Sequence, residues 1–572
     1  MVRAERVDSW LAGITGEPLR DLPSAEEMAA SLSWRVTKPI RALRLRERVA
    51  RVASGRSPLV KTVAPARTSL HDAREALRNR LLAVAPALLG ERPGADGAGD
   101  AAGTDGTPGT DAALANLLGE LCLSVRQSGR SDQLWLLMVA VSGCFPDQAQ
   151  LSGLVRDLRG ADEVGAVDRI LQHCGVWTVR FRSQLRRLEV VSDEAVVFLD
   201  FSSRSSANLG IQRITRETIA HWPAGRPMRL AALTDDGTGF RALTEAEQQR
   251  VRTGKPERAE RGSKDRDAEV TLVVPWATTV YVPEVPGTHG AVTVGTLARY
   301  SGNRTVAFGY ETVPASSGLH VAGLERLIFN HYLTMLKYFD VIVTISDAGA
   351  EEFGGFAQAL KAQGLREPEI VQLGLPIQKL PNDSVETDGI ASPLVLAVGS
   401  NLPRKNHLAV VYAAELLWRE GLAFRLAVLG GEGDKNYTAV ADAAAALSGR
   451  GRDIVLRRNV SEAELAREYR SARFSVFLSL HDSGMPVAES FAYGTPVLAS
   501  DFGGPAQIAA AGGAVLVDPR DDDAVTAAMR SMIVDDALIE RLRGEIATRD
   551  DPTWADYAAR LADVVLDREG VR

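Results

Sequence analysis

Cysteine is scarce: the 572-residue chain has three, Cys122, Cys144 and Cys174, all in its first third. Their spacing is not that of a metal-ligand set, which leaves reduced packing residues in a reducing compartment. Long apolar runs are missing too. The longest, Leu134 to Val141 (LWLLMVAV), falls far short of the roughly 20 residues that span a bilayer. The opening stretch MVRAERVDSWLAGITGEPLRDL is charged throughout and has no apolar centre, so no secretory leader is expected and the chain is placed in the cytoplasm. A basic excess is also lacking. The 66 Lys and Arg against 73 Asp and Glu give a net charge of −7, which argues against nucleic acid as a partner. No carboxylate cluster that would hold a divalent ion is found, so neither a metal nor a bound cofactor is expected.

What is present is an ordinary globular composition, 45% apolar and 24% charged. At roughly 100–200 residues per domain, the length implies three or four units. Residues 1–93 read as a basic helical or irregular region, 94–111 as a flexible linker, and 112–190 as a helical accessory region. The linker, GADGAGDAAGTDGTPGTD, holds too little apolar surface to offset the entropy of ordering it. Within the first region, WRVTKPIRALRLRERVARV (34–52) carries seven basic residues and one acid among apolar ones. Such a stretch either lies on an anionic membrane surface or packs on its own protein.

Residues 193–385 open with a buried-strand signal, AVVFLD (195–200), followed by a small-residue loop and a helical stretch. Further strands are expected at 229–233, 270–274, 305–308 and 341–345, with 254–269 a solvated loop. Residues 390–548 are the most regular. Apolar strands at 394–398, 425–429, 454–456, 475–478, 497–499 and 515–517 alternate with helical stretches, and 549–572 supplies a closing helix. That β/α alternation predicts open parallel sheets with helices on both faces, and ligands at the carboxyl ends of the strands.

The most informative segment is SLHDSGMPVAESFAYGTPVLAS (479–500). A strand ends near Leu480, a glycine loop follows, and a helix is expected from Pro486. The amides of Gly484 and Met485 then lie at a helix N-terminus, which suits phosphate or sugar oxygens. Glu489, one turn on, either accepts the hydroxyls of a ribose or offsets the helix dipole, worth roughly 0.3–1 kcal/mol.

These residues resemble family 4 of the GT-B glycosyltransferases, whose signature E-G-F-G-L-P-x-x-E-A-x-A-x-G-x-P-V-I-A-S is matched at Gly484, Pro486, Glu489, Ala492, Gly494, Pro496, Val497, Ala499 and Ser500. VGSNLPRKNH (398–407) is similar to the family's V-G-x-x-x-P-R-K-N loop, and 460–479 and 511–525 follow its pattern in order and spacing. The resemblance implies an α/β GT-B fold: two doubly wound, Rossmann-like parallel-sheet domains facing a cleft, preceded here by a mainly helical region. It implies Arg404 and Lys405 on the donor diphosphate, and Glu489 on the donor ribose. The family's first signature carboxylate falls on His481, with Asp482 adjacent, so either residue takes that place. Gln507 stands where many relatives have glutamate.

In the first domain, NLGIQRIT (208–215) resembles the T-G-I-x-R-V segment of relatives acting on mannose- or rhamnose-containing polysaccharides. Gly210 there suits close backbone approach, and Arg213 either faces the cleft or is solvated. FGYETVPASSGLH (308–320) resembles a motif of the same relatives and places Glu311 as a carboxylate that orients or deprotonates an acceptor hydroxyl, or as a strand-end residue in water. TISDAGAEEF (344–353) resembles a segment in which Ser346 contacts donor or acceptor.

The implied activity is retaining transfer of a hexosyl unit from a nucleotide-diphosphate sugar, the co-substrate, to a glycan or lipid-linked acceptor of bacterial surface polysaccharide. Peripheral membrane contact is expected through 34–52. Two other readings share the fold: a catalytically weak sugar-nucleotide-binding or assembly subunit, and a nucleotide-sugar epimerase.

Overall fold

Helices in the first part of the chain begin where a short polar side chain holds their first free amides. Ser69 Oγ accepts from Asp72 N at 3.0 Å ahead of Leu70–Leu89. Asp147 and Gln150 form a reciprocal capping box ahead of Gln148–Leu158. Asp162 accepts from Gly165 N at 2.7 Å ahead of Glu163–Phe181. Each cap is worth about 1 kcal/mol.

The structure, a computed structural model, describes residues 2–15, 69–90, 109–206, 210–254, 270–316, 323–377, 392–431 and 437–567. These fall into two compact units, Met1–Leu188 with Asp265–Thr271, and Glu189–Lys264 with Leu272–Arg572.

In the first unit the helices Val2–Thr15, Leu70–Leu89, Gly109–Ser128, Ser131–Ser142, Gln148–Leu158 and Glu163–Phe181 pack together. Leu77, Leu81, Leu118, Trp135 and Val139 are fully buried among them. Trp10 Nε1 donates to Leu171 O at 2.7 Å, tying the first helix to the last. The helices on either side of the glycine-rich stretch therefore share one unit, and Gly109–Ser128 starts inside the segment expected to be a linker. Its earlier residues, the basic stretch 34–52 and most of the loop 254–269 lie outside the described residues. Cys122, Cys144 and Cys174 are buried and free of disulfides.

Two sheets follow. The first has nine strands: β1 (Arg187–Val191), β2 (Ala195–Phe198), β3 (Met228–Leu233), β4 (Phe240–Ala242), β5 (Thr271–Pro275), β6 (Thr279–Val282), β7 (Arg304–Gly309), β8 (Val341–Thr344) and β9 (Glu369–Gln372), in the order β1-β5-β4-β3-β2-β6-β7-β8-β9. Strands β3, β2, β6, β7, β8 and β9 run parallel, whereas β4 is antiparallel to both neighbours. The second has β10 (Leu394–Val398), β11 (Arg425–Gly430), β12 (Ile454–Arg458), β13 (Phe474–Phe477), β14 (Val497–Ser500) and β15 (Ala514–Val517), all parallel, in the order β12-β11-β10-β13-β14-β15. Its strand order reverses between β10 and β13. That reversal opens a crevice at the strand ends, the usual ligand position in such sheets. The arrangement is the expected α/β fold of two doubly wound sheets, with a mainly helical region ahead of them.

Four strands of the first sheet, β1, β4, β6 and β9, have no counterpart among the expected ones. Strand β4 is three residues long and β9 is a half-exposed edge, so neither carries a buried apolar run. Strand β6 is fully buried, but it is only four residues long and follows Ala277 and Thr278, which masks it. The closing helix, Trp554–Leu566, returns to the first sheet: Tyr557, Leu561, Ala562 and Val565 join its core. Among the described residues no helix is long and apolar enough to cross a membrane.

Candidate active site

The loop after β10 is shaped by backbone crowding. A Cβ at Gly430, the end of β11, would lie 1.8 Å from Gly399 O, so only glycine lets the two strand ends pass. The chain then makes a short turn, Pro403–Lys405, and reverses at Asn406 with φ 55°. Asn406 Nδ2 fastens that turn to Pro519 O at 2.8 Å. His407 is buried beneath, with its ring 3.2 Å from Gly399 O; burial drives its pKa down to about 4, so it is neutral. Arg404 and Lys405 are thereby presented at the crevice.

The loop after β13 is stitched to that turn. Arg404 O accepts from Leu480 N at 2.8 Å, and Arg404 Nη1 donates to His481 O at 2.8 Å and to Asp482 Oδ2 at 3.0 Å. Lys405 Nζ pairs with the same Asp482 oxygen and lies 5.1 Å from the centroid of the Phe477 ring. Asp482 also accepts from Gly484 N at 3.3 Å. Burial pushes its carboxyl up, but Lys405 and Arg404 outweigh that and hold it below the usual range. Of the two candidates for the signature carboxylate, Asp482 is therefore the one on the cations. His481 is exposed and meets Arg404 through its backbone oxygen.

The glycine loop is equally constrained. Gly484 has φ +84°, and a Cβ there would lie 2.8 Å from the Gly504 backbone; a Cβ on Gly504 would lie 2.3 Å from Ser483 O. The helix that follows is Met485–Ala492, one residue earlier than expected, with Gly484 as its cap residue. The Gly484 amide, expected to face a ligand, is taken by Asp482 here. The Met485 side chain reaches across the cleft into the core under the first sheet.

Facing these residues, Glu311 follows β7, with its Oε1 3.2 Å from Arg404 Nη2. Burial raises the Glu311 carboxyl above its usual range against the opposing pull of Arg404. Its loop is held by Glu352, which accepts from Thr312 N at 2.7 Å and Thr312 Oγ1 at 2.8 Å. Ser346 is buried as the cap of Asp347–Ala362, its Oγ accepting from Gly349 N at 3.1 Å. Gln507 Oε1 accepts from Asp347 N at 2.6 Å, a bond from the second half to the first that an amide makes as well as a carboxylate. Glu311, Ser346, Glu352, His481, Asp482 and Phe502 line one cavity of about 230 Å³.

A second cavity, about 130 Å³, lies against the helix Met485–Ala492 and is lined in part by Arg213, Glu489, Tyr493 and Trp554. Arg213, on the helix Gly210–Ala220, places Nη1 2.6 Å from Glu489 Oε1. It therefore faces the cleft. Gly210 is not forced: a Cβ there meets Met485 Sδ at 3.7 Å, an ordinary contact. Asn208 and Leu209 lie outside the described residues, as does the end of the 308–320 motif.

Sequence reasoning missed Glu352, Tyr469 and the side chain of Met485. Tyr469 donates to Glu489 Oε2 at 3.3 Å, and nothing in its helical repeat marks it. Among the described residues, no group of three or more His, Cys, Asp or Glu is placed to hold a metal ion.

Residues 388–548 match the family model described as Glycosyl transferases group 1, and this segment is a glycosyltransferase domain. No curated protein matches the chain. Among solved structures, the α,α-trehalose 6-phosphate synthase of Burkholderia multivorans is 13% identical, with TM-score 0.44 over 66% of this chain and 96% of that one. The sucrose-phosphate synthase of Thermosynechococcus elongatus is 14% identical, with TM-score 0.44 over 65% and 98%. The N-terminal domain of Candida albicans trehalose-6-phosphate phosphatase is 12% identical, with TM-score 0.45 over 66% and 97%.

Proposed function

We propose that this chain is a retaining hexosyltransferase that uses a nucleotide-diphosphate sugar and works without a metal. The observation that carries the reading is the pair Arg404 and Lys405, held at the crevice of a glycosyltransferase domain by Asp482 and faced by Glu311. The donor diphosphate takes the two cations and the turn at Gly484 and Met485, where the Gly484 amide becomes available once Asp482 releases it. Its ribose hydroxyls donate to Glu489. As the bond from the sugar carbon to the phosphate oxygen breaks, charge grows on the departing diphosphate, and cations preset there stabilise it more than they stabilise the bound donor. The acceptor hydroxyl enters from the cavity of about 230 Å³, where Glu311 takes its proton as the new glycosidic bond forms. Asp482 or His481 contacts the sugar hydroxyls. The acceptor is a glycan or lipid-linked saccharide of bacterial surface polysaccharide, handled in the cytoplasm with peripheral membrane contact through 34–52.

The test is transfer by the purified full chain from a panel of nucleotide sugars in EDTA, with the product anomer read by NMR. Lys405→Ala and Glu489→Ala should both lose turnover. Wild-type turnover in both variants, or no binding of any nucleoside diphosphate, overturns the reading. One observation favours a second reading, a subunit that binds but barely turns over: Arg404 and Lys405 are already matched by acids, and an exposed histidine holds the signature position. Tight diphosphate binding without product from any donor would select it.

A further inference from the structure

We infer that Arg213 is a positioning residue for the donor site, a counter-ion from the first half of the cleft that keeps Glu489 a two-oxygen acceptor for the ribose hydroxyls. This rests on the proposed role of Glu489.

The two side chains come from opposite halves and meet at 2.6 Å, with 23% and 14% of their side-chain surface exposed. Glu489 is enclosed by groups from every element packed on it. The helix Gly210–Ala220 contributes Arg213, with Glu217 and His221 further along the same cavity. The helix Glu462–Ser471 contributes Tyr469, and Glu462, whose Oε2 is 3.7 Å from Arg213 Nη1. Tyr493, with Arg470 over its ring, lies past the end of the helix that carries Glu489. Lys405 is the remaining nearby cation, and it is engaged by Asp482. Among the described residues Arg213 is the cation within ion-pair distance of Glu489. Without it, a buried carboxylate faces a second acid, Glu462.

Burial pushes the Glu489 carboxyl up, and Arg213 is the main opposing influence. Removing Arg213 takes away the main influence opposing burial, so the carboxyl holds a proton to higher pH than in the wild type. A protonated carboxyl has one acceptor oxygen fewer to offer, whereas a ribose presents two O–H donors. Closing the cleft over an ionised Glu489 thus requires the guanidinium that the other half brings.

The experiment titrates the full-length protein calorimetrically with UDP, GDP and ADP, then repeats the best binder as its 2′,3′-dideoxy analogue, from about pH 8 to about pH 5.5. Wild type should prefer the ribose form and keep that preference across the range. Arg213→Gln should lose about tenfold of its affinity for the ribose form as pH falls, the size of one pKa unit, while affinity for the dideoxy form stays level. Arg213→Lys should restore the wild-type profile. His221→Gln should leave the wild-type profile unchanged, which removes the histidine as the source. A wild-type pH profile in Arg213→Gln, or a loss shared by the dideoxy analogue, overturns the inference and leaves the glycosyltransferase reading standing. Wild type that binds both forms equally overturns the inference together with the ribose role of Glu489 but not the glycosyltransferase reading, whereas wild type that binds no nucleoside diphosphate overturns both.

Discussion

Arg404 Nη2 stands 3.2 Å from Glu311 Oε1, and the same guanidinium reaches Asp482 Oδ2 through Nη1 at 3.0 Å. One cation therefore joins acids from both halves of the cleft. A diphosphate at Arg404 competes with both acids for the guanidinium, and where Glu311 is the one that yields, it is free to meet an acceptor.

That exchange gives opposite signs for acid and base variants. Glu311→Gln should bind a nucleoside diphosphate more tightly than wild type, because the competitor is gone, yet transfer more slowly by roughly 10²–10⁴. Lys405→Ala should weaken binding by about 1.5–3 kcal/mol, the worth of hydrogen bonds to charged groups. Calorimetry and initial rates check both. Weaker diphosphate binding in Glu311→Gln would show that the acid does not compete.

The glycine pair at the loop crossing allows a steric test. Gly504→Ala puts a Cβ 2.3 Å from Ser483 O, against backbone that cannot swing aside. A loss of about 1–3 kcal/mol in unfolding free energy is expected, together with loss of diphosphate binding, since Ser483 and Gly484 must shift. Gly494→Ala, with no atom near its Cβ position, carries only the strain of φ +75°. Equal diphosphate affinities in the two variants would contradict this account.

Glu284 gives a pH-dependent stability. It is 2% exposed, and its two oxygens accept from Phe201 N and Ser202 N at 2.9 Å each. Burial raises its carboxyl above the ordinary value of 4.5, partly offset by those hydrogen bonds. The folded state thus holds the proton more tightly than the unfolded chain. The contribution is complete below the unfolded value and is lost as pH rises through the folded one. Glu284→Gln removes that loss, so its stability relative to wild type should grow as pH rises from about 4.5. Urea unfolding across the range measures it, and a constant difference would refute the assignment.

Arg80 in the helical unit is 1% exposed and donates to four carbonyls, those of Ala140, Val141, Gln184 and Arg186. Arg80→Lys cannot reach all of them, because a lysine offers a point of three donors in place of a planar fork of five. Each stranded carbonyl costs about 1–3 kcal/mol. Thermal unfolding of Arg80→Lys should begin earlier than in wild type; an unchanged transition would exclude this role.

The strands of the second sheet were legible because each is an apolar run bounded by turn residues. Leu394–Val398 coincides with β10, and the other five differ from the expected spans by two residues or fewer at either end. The first sheet was less legible, since β4 and β9 have only a thin apolar signal and β6 is four residues long and begins with a threonine. Among the site residues, Arg404, Lys405, Asp482 and Glu489 stand in motifs that are local in sequence. Their partners are not local: Arg213 is 276 residues from Glu489.

Residue order alone determined the alternation of strand and helix, the glycines where backbones must cross, and the cationic turn after β10, because each depends on a few neighbouring residues. Tertiary structure decided what those groups face. Asp482 rather than His481 sits on the cations because β10 and β13 are adjacent, with Leu396 opposite Ser475. Glu311 and Arg213 meet their partners because the two halves close on each other. Ion pairs and burial depend on separation in space, and contacts between strands and helices far apart along the chain set that separation.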